Sequence, residues 1–161
     1  MKKSSTVFLQ GVIVLIGIGV LVAMLWEPHL EGRNAHATLF EIYFKDPFLA
    51  YVYIASIPFF MALYQAFKVL GYTGENKLFS QAAVNALRTI KYCAFITAGA
   101  IVAADAYLMI AARSNNEDAA GAVMLGLIAT FASLVIGTVA AVFEKTLRNA
   151  VDIKSENDLT V

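Results

Sequence analysis

Read for polarity alone, the chain alternates between long apolar runs and short polar connectors. Residues 6–26, 48–67 and 119–143 contain no charged side chain, and residues 92–112 contain only Asp105. A helix that crosses the hydrocarbon core of a bilayer needs about 20 predominantly apolar residues, and each run meets that length. The connectors read "EPHLEGRNAHATLFEIYFKDP", "KVLGYTGENKLFS" and "RSNNED", all polar, charged or turn-forming. The pattern predicts an all-α integral membrane protein of four transmembrane helices, forming a single domain.

Two runs carry amphipathic extensions. Ahead of the third, "SQAAVNALRTIKY" puts Ala83, Val84, Leu87 and Ile90 on one helical face and Gln81, Asn85 and Arg88 on the other, with Ser80 as N-cap. After the fourth, "EKTLRNAVDIK" groups Leu147, Ala150 and Val151 opposite Glu144, Lys145, Arg148 and Asp152. Glu144 with Arg148, and Arg148 with Asp152, stand at i,i+4 spacing. The short connector between the third and fourth runs makes them an antiparallel pair. Their extensions then face each other as a helical stalk, or each lies flat on the headgroups. Residues 144–161 are read as helix extension and tail. No periodicity carries the closing "DIKSENDLTV" further as a helix.

Small residues suit close helix packing in lipid, where no hydrophobic force drives helices together. The fourth run has Ala129, Ser133, Gly137 and Ala141 at four-residue steps, and the third is rich in alanine from Ala94 to Ala104. The second is bulky, with seven aromatic residues from Phe48 to Phe67, and Pro58 predicts a kink.

Composition agrees with the pattern. Sixty per cent of the 161 residues are hydrophobic and mean hydropathy is +0.70. A soluble fold of this size could not hide so much apolar surface. Net charge is zero, which argues against nucleic-acid binding by bulk electrostatics. The single cysteine, Cys93, excludes an internal disulfide and reads as a small packing residue.

The charges set an orientation. With four spans, both termini share a side with Lys2, Lys3, Lys68, Lys77, Arg88, Lys91, Lys145, Arg148 and Lys154. The other side holds Arg33, Lys45 and Arg113. The excess places both termini and the middle loop in the cytoplasm. The first run lies behind Lys2 and Lys3 like a signal peptide. It is too long for one, and no A-x-A-like site precedes Glu27, so an uncleaved anchor is expected.

Three stretches, "IPFFMALYQAFKVL", "KLFSQAAVNALRTIKYCAF" and "LRNAVDIKSENDLTV", resemble the YoaS-like group of small bacterial membrane proteins, in the domain-of-unknown-function 2975 family. The resemblance spans nearly the whole chain. It implies an integral protein of a bacterial cell membrane, without assigned activity, catalytic residues or cofactor. It also implies a gene neighbourhood containing a small Cro-type helix-turn-helix regulator, hence a cytoplasmic partner. Asn85, Arg88, Arg148, Glu156, Asn157, Asp158 and Val161 are the expected docking residues; for Val161 two readings are open, a free carboxylate in a terminal pocket or a tail folded back as a cap on the stalk.

Asp105 is the outstanding candidate for chemistry. It lies seven residues inside its span, roughly 10 Å deep at 1.5 Å per residue. A carboxyl group at that depth is by default a functional hypothesis with a partner to be named. By depth the neighbours are Tyr53 and Ser56 in the second run, Gly19 in the first and Thr130 in the fourth, and a hydrogen bond to Tyr53 or a backbone carbonyl is expected. Two roles are open, a structural hydrogen bond or a proton- or ligand-sensing group. His29 and His36, among Glu27, Glu31 and Glu41, read as a solvated loop. There is no HExxH, CxxC, glycine-rich phosphate loop or nucleophile with a base, so no enzyme and no cofactor are expected. Two functions remain: a regulatory or interaction protein with a cytoplasmic partner, and a small transporter or channel subunit, assembled as a homo-oligomer, using Asp105.

Overall fold

The computed structural model describes residues 3–26, 47–75, 77–115 and 118–158. They form four helices: α1 (Lys3–Trp26), α2 (Pro47–Gly74), α3 (Gln81–Asn115) and α4 (Ala120–Asp158). All four are long and apolar enough to cross a membrane. At 1.5 Å per residue, α3 and α4 run to roughly 52 and 58 Å, well beyond the ~30 Å of hydrocarbon. The loop holding His29 and His36 lies outside the described residues, as do Lys2 and residues 159–161.

The apolar runs are thus helical as expected, and so are the amphipathic stretches before the third and after the fourth; α2 and the tail of α4 go further than expected. α2 continues seven residues past Phe67, through a stretch that reads as connector. α1 lines that extension. Gln10 Nε2 donates to the Phe67 carbonyl at 3.2 Å, and Thr6, itself buried, lies against Gly74. α4 continues to Asp158, so the tail is helical where no continuation was expected. Residues 152–157 have no buried face to announce a helix; they propagate from the turns before them. Pro58 lies inside α2, which is helical on both sides of it.

Each helix packs on its sequence neighbours, α3 on α4 most extensively and α1 on α2 least, and no other pair packs extensively. Among the described residues the helices form an open row. Antiparallel order follows from the contacts: Tyr53 of α2 donates to the Met24 carbonyl of α1 at 3.0 Å, and Tyr51 to the Ala100 carbonyl of α3 at 2.7 Å. The outer faces carry exposed Phe8, Leu15, Phe131 and Phe143, which suits a lipid solvent.

The α3–α4 seam has a two-step rhythm. On α4 the inward positions are Gly126, Thr130, Ser133, Gly137, Ala140, Glu144, Leu147 and Val151, in alternating steps of four and three. That is the spacing of helices crossing at a shallow angle. The stripe of constant four-residue steps read from sequence drifts by about 40° per step and leaves the interface. Ala129 is accordingly exposed and Ala140 buried. The Phe95 ring covers Gly137 so closely that an added Cβ would meet it at 3.0 Å.

At the end shared by Gly74 and Val151, Ala83, Val84 and Leu147 form a buried core with Tyr72, Leu78, Leu87 and Val151 packed on it. The expected apolar face of α3 is therefore the face that is used. Ser80 is the expected N-cap: its Oγ accepts from the Ala83 N–H at 3.3 Å. Asp118 does likewise for α4, accepting from the Ala120 N–H at 2.8 Å.

Candidate functional site

The expected intramembrane trio does not assemble. Tyr53 gives its hydroxyl hydrogen to Met24, and Ser56 Oγ donates to the Tyr53 carbonyl at 2.7 Å, inside its own helix. Asp105 points to α4, not α2. It is 7% exposed and lies on Gly126, where an added Cβ would overlap the carboxylate and come within 2.5 Å of its carbon. A glycine is required there because only a bare Cα leaves room for the acid. Oδ2 is buried without a hydrogen-bond partner, and so is the Thr130 hydroxyl one turn along the same face of α4.

The expected docking residues divide into two groups. Asn85 is exposed on α3, accepting from Gln81 Nε2 at 3.2 Å and from Thr89 at its carbonyl. Glu156 and Asn157 are exposed on the last turns of α4, beyond the start of α3. Asp158 is the final helical residue, and Val161 lies outside the described residues. Arg88 and Arg148, by contrast, converge on a residue that sequence reasoning placed on the solvent face.

That residue is Glu144, 5% exposed. It occupies the seam between Ala140 and Leu147, at the first position after the apolar run of α4. Oε1 accepts from Arg88 Nε at 3.0 Å and from Arg148 Nη2 at 2.6 Å; Oε2 accepts from Lys91 Nζ at 2.7 Å. Arg88 and Lys91 come from α3 and Arg148 from α4 itself, so one carboxylate ties the two helices. Arg148 turns back to Glu144 and makes no ion pair with Asp152 among the described residues. Burial works to raise the Glu144 carboxyl. Hydrogen bonds from Lys91 and Arg88, with the charges of Lys91 and Arg148, outweigh it and hold the group below its ordinary 4.5.

The signal for Glu144 was available in the four-and-three rhythm of the seam. It was obscured because a glutamate beside a lysine reads as surface. Around it lies an open pocket of about 580 Å³ whose lining includes Arg88, Lys91, Lys145, Arg148 and the Tyr92 ring. Lys91 Nζ stands 4.6 Å from the centre of that ring. A second, apolar recess of about 270 Å³ opens where Phe48 stacks on Tyr107 at 5.2 Å. No grouping of three metal-ligating side chains occurs among the described residues. Cys93 is buried and unpaired, as expected of a packing residue.

Comparison with known proteins gives a family and no activity. The profile of a family described as "Protein of unknown function (DUF2975)" matches residues 33–161. An uncharacterized membrane protein of Bacillus subtilis (strain 168), YoaS, is 44% identical over 167 residues, covering all of both chains. No solved structure matches. The chain belongs to the DUF2975 family and is a membrane protein with four candidate spans.

Proposed function

We propose that this DUF2975 member is a non-catalytic docking protein of the bacterial cell membrane, with both termini in the cytoplasm. In this reading α3 and α4 project from the inner face as a two-helix stalk. The distal end of α4 meets a cytoplasmic partner, a small helix-turn-helix regulator. The observation that carries the reading is the overhang of α4. Val84 packs with Leu147, so the start of α3 lies level with about residue 150, and residues 152–157 extend beyond it with exposed side chains. Ile153, 60% exposed, stands among Asp152, Lys154 and Ser155 as an apolar anchor with a polar rim. The excess of basic residues on the same side as the termini supports the orientation.

A photoreactive side chain at Ile153, in cells that also express a candidate helix-turn-helix regulator, tests this reading. A cross-link to the regulator that disappears on removing residues 152–161, with insertion intact, is the expected result. Failure to cross-link or co-purify when both proteins are folded would count against it.

One observation favours a second reading, a transporter or channel subunit. The Asp105 Oδ2 and the Thr130 hydroxyl are both buried and unpartnered on one face of the α3–α4 seam. An open row of helices also leaves edges for further copies. In reconstituted vesicles this reading requires a flux that Asp105→Asn abolishes.

A further inference from the structure

We infer that the pocket beside Glu144 binds a phosphate-bearing anion, the headgroup of an anionic phospholipid. This goes beyond the docking reading and does not depend on it, since it concerns the base of the stalk and not its tip.

The charge count points to an anion. Four cations, Arg88, Lys91, Lys145 and Arg148, surround one carboxylate. Glu144 cannot balance them. Arg88 reaches it through Nε alone and Arg148 through one terminal nitrogen, each side chain remaining 43% exposed. The remaining guanidinium N–H groups are donors in a planar fork suited to phosphate oxygens. Lys145 forms no ion pair with a carboxylate among the described residues, so its charge is also available. Glu144 fixes the arginines in place beforehand, which lowers the ordering cost of binding.

The height of the pocket points to a lipid. Glu144 is the first charged residue after the apolar run of α4, and Lys91 the last before that of α3. The pocket therefore opens where hydrocarbon gives way to headgroups. The Tyr92 ring and Ala141 give it an apolar side, and tyrosine suits that boundary. A phosphodiester can meet the cations while its glycerol and chains continue along the lipid-facing surface.

Native mass spectrometry of the full-length protein tests the proposal. Phosphatidylglycerol or phosphatidylcholine is added to the detergent-solubilised protein. The wild type should retain phosphatidylglycerol at least about five-fold better than phosphatidylcholine. Arg88→Gln and Lys145→Gln should each reduce that retention about five-fold. Lys145→Gln leaves all three Glu144 contacts intact, so its effect cannot be attributed to unfolding. Lys77→Gln, outside the pocket, should change nothing. Equal retention of the two lipids, or undiminished retention by Lys145→Gln and Arg88→Gln, would overturn the site. A parallel arm adds inorganic phosphate. If it displaces phosphatidylglycerol at millimolar concentration, the phosphate site stands but its ligand is soluble, which overturns the lipid assignment.

Discussion

Lys91 of α3 places its ammonium 2.7 Å from the Glu144 carboxylate of α4, joining the two longest helices just beyond their apolar runs. Two arginines share the same carboxylate. Breaking a fully buried pair by deleting one partner costs about 3–5 kcal/mol. Here Arg88 and Arg148 reach water and can rehydrate, so Glu144→Gln is expected to cost less, about 2 kcal/mol. Denaturant unfolding in mild detergent measures it. A double-mutant cycle with Lys91→Gln should show coupling of at least about 1 kcal/mol.

The same carboxylate gives a pH dependence of known sign. Glu144 is held below its ordinary 4.5 in the folded protein. Its ionised form therefore stabilises the fold fully above that value, and the contribution is lost as pH falls through the lower native value. Stability of wild type and Glu144→Gln, compared from pH 7 downward, should converge as the acid end is reached. Parallel curves would remove Glu144 from the account.

Asp105 and Gly126 form the second coupled pair. Gly126→Ala forces a methyl group into the carboxylate and should destabilise the protein by about 1–3 kcal/mol. Asp105→Ala empties that space. The double variant should therefore be markedly more stable than the sum of the single effects. Simple additivity in thermal unfolding would mean that the two residues do not meet.

The pairing of α1 with α2 is testable by cross-linking. A Cβ at Gly74 would lie 3.5 Å from Thr6 Cβ, within the range that a disulfide spans. Thr6→Cys with Gly74→Cys, in a Cys93→Ala background, should oxidise to an intramolecular bond. Peptide mapping without reductant would detect it, and free thiols throughout would contradict the α1–α2 register.

Much of this arrangement is legible in the sequence, for physical reasons that differ along the chain. Lipid tolerates only helices whose polar groups are satisfied internally, so four long apolar runs announce four helices. Ser80 and the Ala83–Val84–Ile90 face are local signals, and each appears where its chemistry puts it. A glutamate beside a lysine reads as exposed, although the position of Glu144 between Ala140 and Leu147 keeps the seam's rhythm. Depth puts Tyr53, Ser56, Gly19 and Thr130 level with Asp105, and of these Thr130 lies on the helix that the acid faces. Depth says nothing of azimuth, and the acid faces Gly126, a residue with no side chain to suggest an acid opposite it.

The most direct test of the proposed function is the compartment of the exposed end of α4. Lys154→Cys in a Cys93→Ala background gives one thiol there, to be probed with a membrane-impermeant maleimide. The account predicts no labelling in intact cells and full labelling once the membrane is permeabilised. Labelling in intact cells would put the stalk outside, away from any cytoplasmic regulator, and would contradict it.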